Sequence, residues 1–205
     1  MFSSQNTWRV AAVIEALSDA DLARSLEGDF SSRLAEVNGI HLHYVQGGHG
    51  DPLVLLGGWP QTWWQFHKIM PALARRHRVI AVDLRGMGGS DKPDTGYDKQ
   101  TMAQDIYELI RHLGHEKVDI AGHDIGAMVA QSLAAHHPQA VNKLALLDVH
   151  HPDETMYGLT LLPQPDQHVN GDFTAGSRTY LWWFALNQVR GLPEKLLARP
   201  RARMA

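Results

Sequence analysis

Two kinds of hydrophobic pattern alternate along the middle of this 205-residue chain. Leu53-Val54-Leu55-Leu56, Val79-Ile80-Ala81-Val82, Val118 to Ala121 and Leu144 to Leu147 are short, largely apolar runs. Runs of that kind suit parallel strands covered on both faces. Between them the apolar positions recur at helical spacing. Thr62 to Arg76 reads as a helix broken at Pro71. Lys99 to Leu113 carries Met102, Ile106, Leu109 and Leu113 on one side, with Gly114 as its stop. Ala127 to Ala135 is apolar on most faces and is closed by Pro138. Strands taking turns with helices predict a mostly parallel α/β sheet.

The front of the chain has a different rhythm. Val10, Val13, Ile14 and Leu17 fall at i, i+3, i+4 and i+7, which predicts an amphipathic helix over 7–17. Ser18 with Asp21 forms the signature of a capping box, opening a second short helix that ends near Gly28. Arg33 to Val37 and Ile40 to Val45 alternate around Asn38-Gly39, a strong hairpin signal. Ile40, Leu42 and Tyr44 then face inward, and His41 and His43 are expected on the outer face. No internal repeat is present.

Four unusual clusters follow the apolar runs: Gly57-Gly58-Trp59-Pro60, Asp83-Leu84-Arg85-Gly86, Gly122-His123-Asp124-Ile125-Gly126 and Asp148-Val149-His150-His151-Pro152. A parallel sheet brings all of them to the carboxyl edge of its strands, where ligands bind. Gly-x-Asp-x-Gly between a strand and a helix has the spacing of a nucleophile elbow, with Asp in place of Ser. A turn that lifts one side chain above the sheet crowds its flanks, so only Gly fits at 122 and 126. The following helix start favours negative charge.

Asp124 is therefore a candidate nucleophile, able to attack an electrophilic carbon and form an ester. Read by itself, an Asp after a strand can equally be a helix cap. The backbone amides of Trp59 and Ile125 are candidate oxyanion donors. The run from Asp83 to Pro93 lacks the third Gly of a dinucleotide-binding turn, so it reads as an ordered loop with Arg85 pinned by carboxylates. The histidine pairs never recur at i, i+4 beside a carboxylate, and neither a metal nor another cofactor is expected.

Composition narrows the field. With 44% hydrophobic and 20% charged residues the chain suits one sizeable core. A net charge of −3 gives no basic field for nucleic acid. No apolar run approaches a membrane span, and Glu15 interrupts the one apolar stretch near the amino terminus. With no cysteine there is neither a disulfide framework nor a thiolate nucleophile. The default expectation is a cytoplasmic protein without membrane or nucleic-acid partners.

These residues resemble the epoxide hydrolase branch of the α/β-hydrolase superfamily, over roughly Ser32 to Leu197. The likeness is carried by GGWPQTWWQF, VIAVDLRGMGGSDKP, GHDIGAMVA, LLDVHHPDE and WWFALNQVRGLPEKLL. It implies the α/β-hydrolase fold with amino-terminal helices over 1–31, a core over 32–150 and a partial helical cap and tail over 151–205. It further implies that Asp124 opens an epoxide of a small, neutral, hydrophobic substrate through an ester intermediate, and that Trp59 and Ile125 supply oxyanion amides. Tyrosines of the cap hold the epoxide oxygen in that family, and Tyr157 and Tyr180 fall in the corresponding region. The family's usual His-Gly-x-Pro is Gly57-Gly58-Trp59-Pro60 here.

Haloalkane and haloacid dehalogenases share the acid nucleophile and are the second enzyme class. Ile125 stands where haloalkane enzymes place a halide-binding Trp, and Ile125 and Met128 are apolar where fluoroacetate enzymes carry arginines. Trp183 does resemble a halide-binding Trp. In the family a His after the last strand activates water, oriented by an acid. Asp148 is a candidate for that acid, but nothing after it resembles the strand and His. His150 and His151 lie near it, yet the family draws its base from elsewhere.

The expectation is a truncated hydrolase, impaired by lack of the base, with its sixth strand exposed as an edge prone to self-association. A third reading is a non-catalytic fragment that binds apolar small molecules through Trp59, Trp63, Trp64, Trp182 and Trp183.

Overall fold

A computed structural model describes residues 17–149, together with the backbone of a two-strand ladder at Thr174–Ala175 and Arg178–Thr179. The helix expected over 7–17, the cap residues Tyr157, Tyr180, Trp182 and Trp183, His150 and His151, and the tail lie outside the described residues. The chain divides into two compact units, Met1–Val149 and His150–Ala205.

Helix α1 (Asp19–Ser25) opens on the expected capping box. The Ser18 hydroxyl accepts from the Asp21 amide, and the Asp21 carboxylate accepts from the Ser18 amide. Strands β1 (Ser31–Val37) and β2 (Ile40–Gly47) pair antiparallel around Asn38 and Gly39. Those two residues have φ of 47° and 75°, the left-handed pair that a two-residue hairpin turn needs. Strands β3 (Asp51–Leu56), β4 (His77–Val82), β5 (Val118–His123) and β6 (Val141–Leu147) supply the parallel part. The order is β1-β2-β4-β3-β5-β6. It is a mixed sheet whose antiparallel strands come first in the chain, as expected.

Register decides where the chemistry goes. Leu56 lies beside Val82 on one side and Gly122 on the other, and His123 lies beside Leu147. Gly57, Asp83, Asp124 and Asp148 therefore leave the sheet along one edge, each as the first residues past a strand end.

The two faces are covered by different helices. One is packed by α3 (Lys99–His112) and α4 (Ile125–His136), whose Met102, Ile106, Leu109, Val129 and Leu133 are buried. The other carries α1, a 3-10 turn at Trp63–Phe66 and α2 (Met70–Ala74). The helix expected over Thr62 to Arg76 is thus two short elements. The interruption falls before Pro71 rather than at it, because a residue lacking N–H suits the first turn of a helix.

Two further expectations are corrected on this second face. His43 is 4% exposed rather than on an outer face, because α1 and Trp63 cover its side of β2. Trp63 is fully buried, so it belongs to the core and not to a Trp-rich surface. His41 is exposed, as expected.

Polar contacts fasten α3. Arg85 donates to both oxygens of Asp105, at 2.8 and 2.6 Å, which pins the loop after β4 as expected. At its start, the Asp98 carboxylate accepts from the Thr101 amide at 2.8 Å. That backbone N–H, with the Thr101 hydroxyl, holds the Asp98 carboxyl below the ordinary carboxylate range. The cap therefore stabilises the fold above that range and is lost as pH falls through the lowered value. Asp98→Ala is expected to lower the urea midpoint at neutral pH and to make little difference in acid; denaturation curves at both pH values check this.

Strand β6 ends the order, pairing only with β5 among the described residues. Its Leu144, Leu146 and Leu147 are exposed. No helix among the described residues is long and apolar enough to cross a membrane.

Candidate active site

Asp124 stands between β5 and α4 with φ 53° and ψ −122°, a conformation that non-glycine residues rarely hold. The structure around it overdetermines that geometry. The Asp124 amide donates to the Leu147 carbonyl at 3.1 Å, and its carbonyl accepts from Ala127 and Met128 at 3.0 and 3.2 Å, the first bonds of α4. A Cβ on Gly122 would lie 2.6 Å from the Ala127 backbone, and one on Gly126 would lie 2.6 Å from the Gly57 carbonyl oxygen. Both flanking glycines are required by close backbone approach.

The turn lifts the half-buried Asp124 side chain above the sheet edge. There its Oδ1 accepts from the Trp59 backbone N–H at 3.0 Å. The loop that supplies this amide is held by Gln65, whose Oε1 accepts from Gly58 N–H at 3.3 Å. Gly58 itself faces Asp124: a Cβ there would lie 2.9 Å from both Asp124 Cβ and His123 Nδ1. The lack of a side chain at Gly58 thus lets the loop close over Asp124. Of the two expected amide donors, Trp59 is on the carboxylate. Ile125 opens α4 as the next residue, with its N–H among the amides a helix start leaves free.

Asp148 leaves β6 with φ 49° and is largely exposed. Its Oδ2 lies 3.8 Å from His123 Nε2, while His123 Nδ1 is buried without a hydrogen-bond partner. His123 as the neighbour of Asp148 is a pairing that sequence reasoning missed, since it depends on β5 and β6 ending level. Lys99 was also missed, because one Lys at a helix start carries no motif. It is half-buried; burial pushes its ammonium below the ordinary lysine value, and the charges of Asp98 and Asp124 oppose that shift. Lys99 Nζ has the Tyr97 carbonyl, at 3.3 Å, as its hydrogen-bonding oxygen.

The arrangement presents a carboxylate on a rigid, strained turn, with a backbone donor fixed on one of its oxygens and a cation in its field. It can displace a leaving group from carbon and hold the resulting ester.

Comparison with known proteins finds a family model and relatives. The family model described as alpha/beta hydrolase fold matches residues 51–184. The chain is similar to a soluble epoxide hydrolase from Corynebacterium sp. (strain C12), 51% identical over 115 residues, covering 56% of this chain and 40% of that protein. It is similar to a fluoroacetate dehalogenase from Burkholderia sp., 35% identical over 173 residues, covering 82% and 53% respectively. Among solved structures, wild-type Cfl2 from Burkholderia cenocepacia superposes with a TM-score of 0.68 at 39% identity, over 83% of this chain and 55% of that one. The chain thus spans about half, or less, of the length of these relatives.

Proposed function

The chain belongs to the α/β-hydrolase fold family, and from that premise we propose that it is an epoxide hydrolase-like protein in which Asp124 is the nucleophile. The observation that carries this reading is the Trp59 N–H set 3.0 Å from the Asp124 carboxylate, on a residue held at positive φ. One carboxylate oxygen attacks the less hindered epoxide carbon, the C–O bond breaks, and the ring oxygen leaves as an alkoxide that takes up a proton. The product is a hydroxyalkyl ester of Asp124. In the second half, water attacks the ester carbonyl and the Trp59 and Ile125 amides stabilise the oxyanion.

That second half needs a general base to take the proton of water. Among the described residues no imidazole is hydrogen-bonded to Asp124. The substrate is a small, neutral, hydrophobic epoxide.

A second reading, dehalogenation, is favoured by the longer match to the fluoroacetate dehalogenase and by a half-buried Lys99 cation in the field of Asp124. There the same carboxylate displaces halide, and the ester forms without an alkoxide.

Both readings are tested by incubating the chain with styrene oxide or with fluoroacetate and mapping the peptides by mass. One styrene oxide mass on the Asp124 peptide supports the first reading. A carboxymethyl ester there, with fluoride released, supports the second. Neither adduct and no product from either compound rejects Asp124 as a working nucleophile.

A further inference from the structure

Away from the elbow, the sheet face covered by α1 holds three side chains in one hydrogen-bonded line. Asp83, the first residue past β4, is 1% exposed. Its Oδ1 accepts from the Trp63 backbone N–H at 2.7 Å and its Oδ2 from the Gly89 N–H at 2.9 Å. A carboxylate already receiving two amide hydrogens is held as an acceptor. His43 Nδ1, 2.8 Å from Oδ2, therefore carries the proton of that bond. His43 Nε2 is left with its lone pair, and the Ser32 hydroxyl lies 2.8 Å away to donate into it.

The imidazole is fixed in place. A Cβ on Gly89 would lie 2.8 Å from His43 Cγ, and the His43 amide donates to Ser90 Oγ, which in turn donates to the Asp83 carbonyl. Asp19 also comes close, with Asp19, His43 and Asp83 offering ligand atoms within 4.8 Å of one another. Asp19 Oδ1, however, accepts from the Trp63 indole N–H at 2.6 Å. Protein donors therefore occupy these atoms, and the line leads to a hydroxyl rather than to a cation.

Hydroxyl, imidazole and buried carboxylate stand in the order that activates a serine for attack. Ser32 is half-buried on β1, at the end of the sheet order, while His43 and Asp83 are buried behind it. We propose that Ser32 is a second nucleophile of this chain, modified by small electrophilic acyl or phosphonyl donors, with His43 as its general base and Asp83 orienting the imidazole. The site is separate from the elbow, because β2, β4 and β3 lie between β1 and β5. In the step itself, Ser32 Oγ bonds to phosphorus or acyl carbon, the leaving group departs with its electron pair, and the hydroxyl proton passes to His43 Nε2.

The test is an alkyl fluorophosphonate applied to the whole chain, with fluoride as the leaving group and peptide mass mapping as the readout. Ser31 is the internal control: it neighbours Ser32 on the same strand and is equally half-buried, but its Oγ accepts from Arg33 Nε and has no imidazole. Ser32 is expected to be labelled about 10²-fold faster than Ser31, the lower range of general-base assistance. Ser32→Ala removes the label, and Asp124→Asn leaves it in place, which separates this proposal from the elbow reading. No adduct at Ser32, equal labelling of Ser31 and Ser32, or a label that disappears with Asp124 overturns it.

Discussion

Asp124→Asn is expected to keep the fold and to abolish capture of styrene oxide. Asparagine matches the aspartate in volume and is among the side chains that accept a left-handed backbone, which the φ of 53° demands. Its amide oxygen still receives the Trp59 N–H, so the loop over the elbow keeps its anchor. What is lost is the nucleophile, since an amide oxygen does not displace an alkoxide at a useful rate. Removal of one member of a catalytic triad elsewhere costs roughly 10⁴- to 10⁶-fold. Capture by the variant is therefore expected to fall at least about 10⁴-fold, with near-ultraviolet circular dichroism unchanged. Retained capture at the parent's rate would move the nucleophile to another residue.

The largest expected effect on stability lies elsewhere. Asp105→Ala removes the bidentate partner of Arg85, whose side chain is 7% exposed. It also removes the acceptor of Asn38 Nδ2, which bonds Asp105 Oδ1 at 2.6 Å and ties the first hairpin to α3. A guanidinium left buried without its carboxylate typically costs about 3–5 kcal/mol. That is a large share of the roughly 5–15 kcal/mol that holds a domain folded. Urea denaturation of the variant is expected to show that loss. A change under about 1 kcal/mol would mean that the guanidinium finds water or a new carboxylate, as exposed pairs do. Asp105→Asn, which keeps two acceptor sites on one oxygen, is expected to lose less.

Much of the architecture is legible in the sequence because the decisive signals are local. Each parallel strand is a short apolar run, ended by Gly or Asp, and level ends follow once the runs are paired. Asn38-Gly39 declares its turn through backbone preferences alone. Gly122 and Gly126 declare the elbow because no other residue fits beside those carbonyls and amides. The likeness to epoxide hydrolases rests on these same segments.

What was not legible depends on partners far away in the chain. Alternation along β2 places His43 on the face opposite Leu42, but whether that face is solvent or core is settled by α1 and Trp63. Trp63 for its part looks like one more tryptophan in an aromatic stretch until its indole meets Asp19 and its amide meets Asp83. The approach of His123 to Asp148 arises only when β5 and β6 end together and Asp148 turns to positive φ. Tyr157, Tyr180 and Trp183 lie outside the described residues.

The order of the strands carries a consequence for how the protein is made. β3 is flanked by β4 and β5, and both are synthesised after it. Its Leu53-Val54-Leu55-Leu56 segment therefore has neither neighbour until β4 ends at Val82, and its β5 edge stays open until His123 is made. At about 5–20 residues per second that interval lasts several seconds, far longer than the microseconds a hairpin such as β1-β2 needs to close. During that wait an apolar strand stands with at least one edge open, the situation that favours pairing between nascent chains. Yield in the cell is thus expected to depend on how fast residues 57–123 are translated and on chaperones that hold β3 meanwhile.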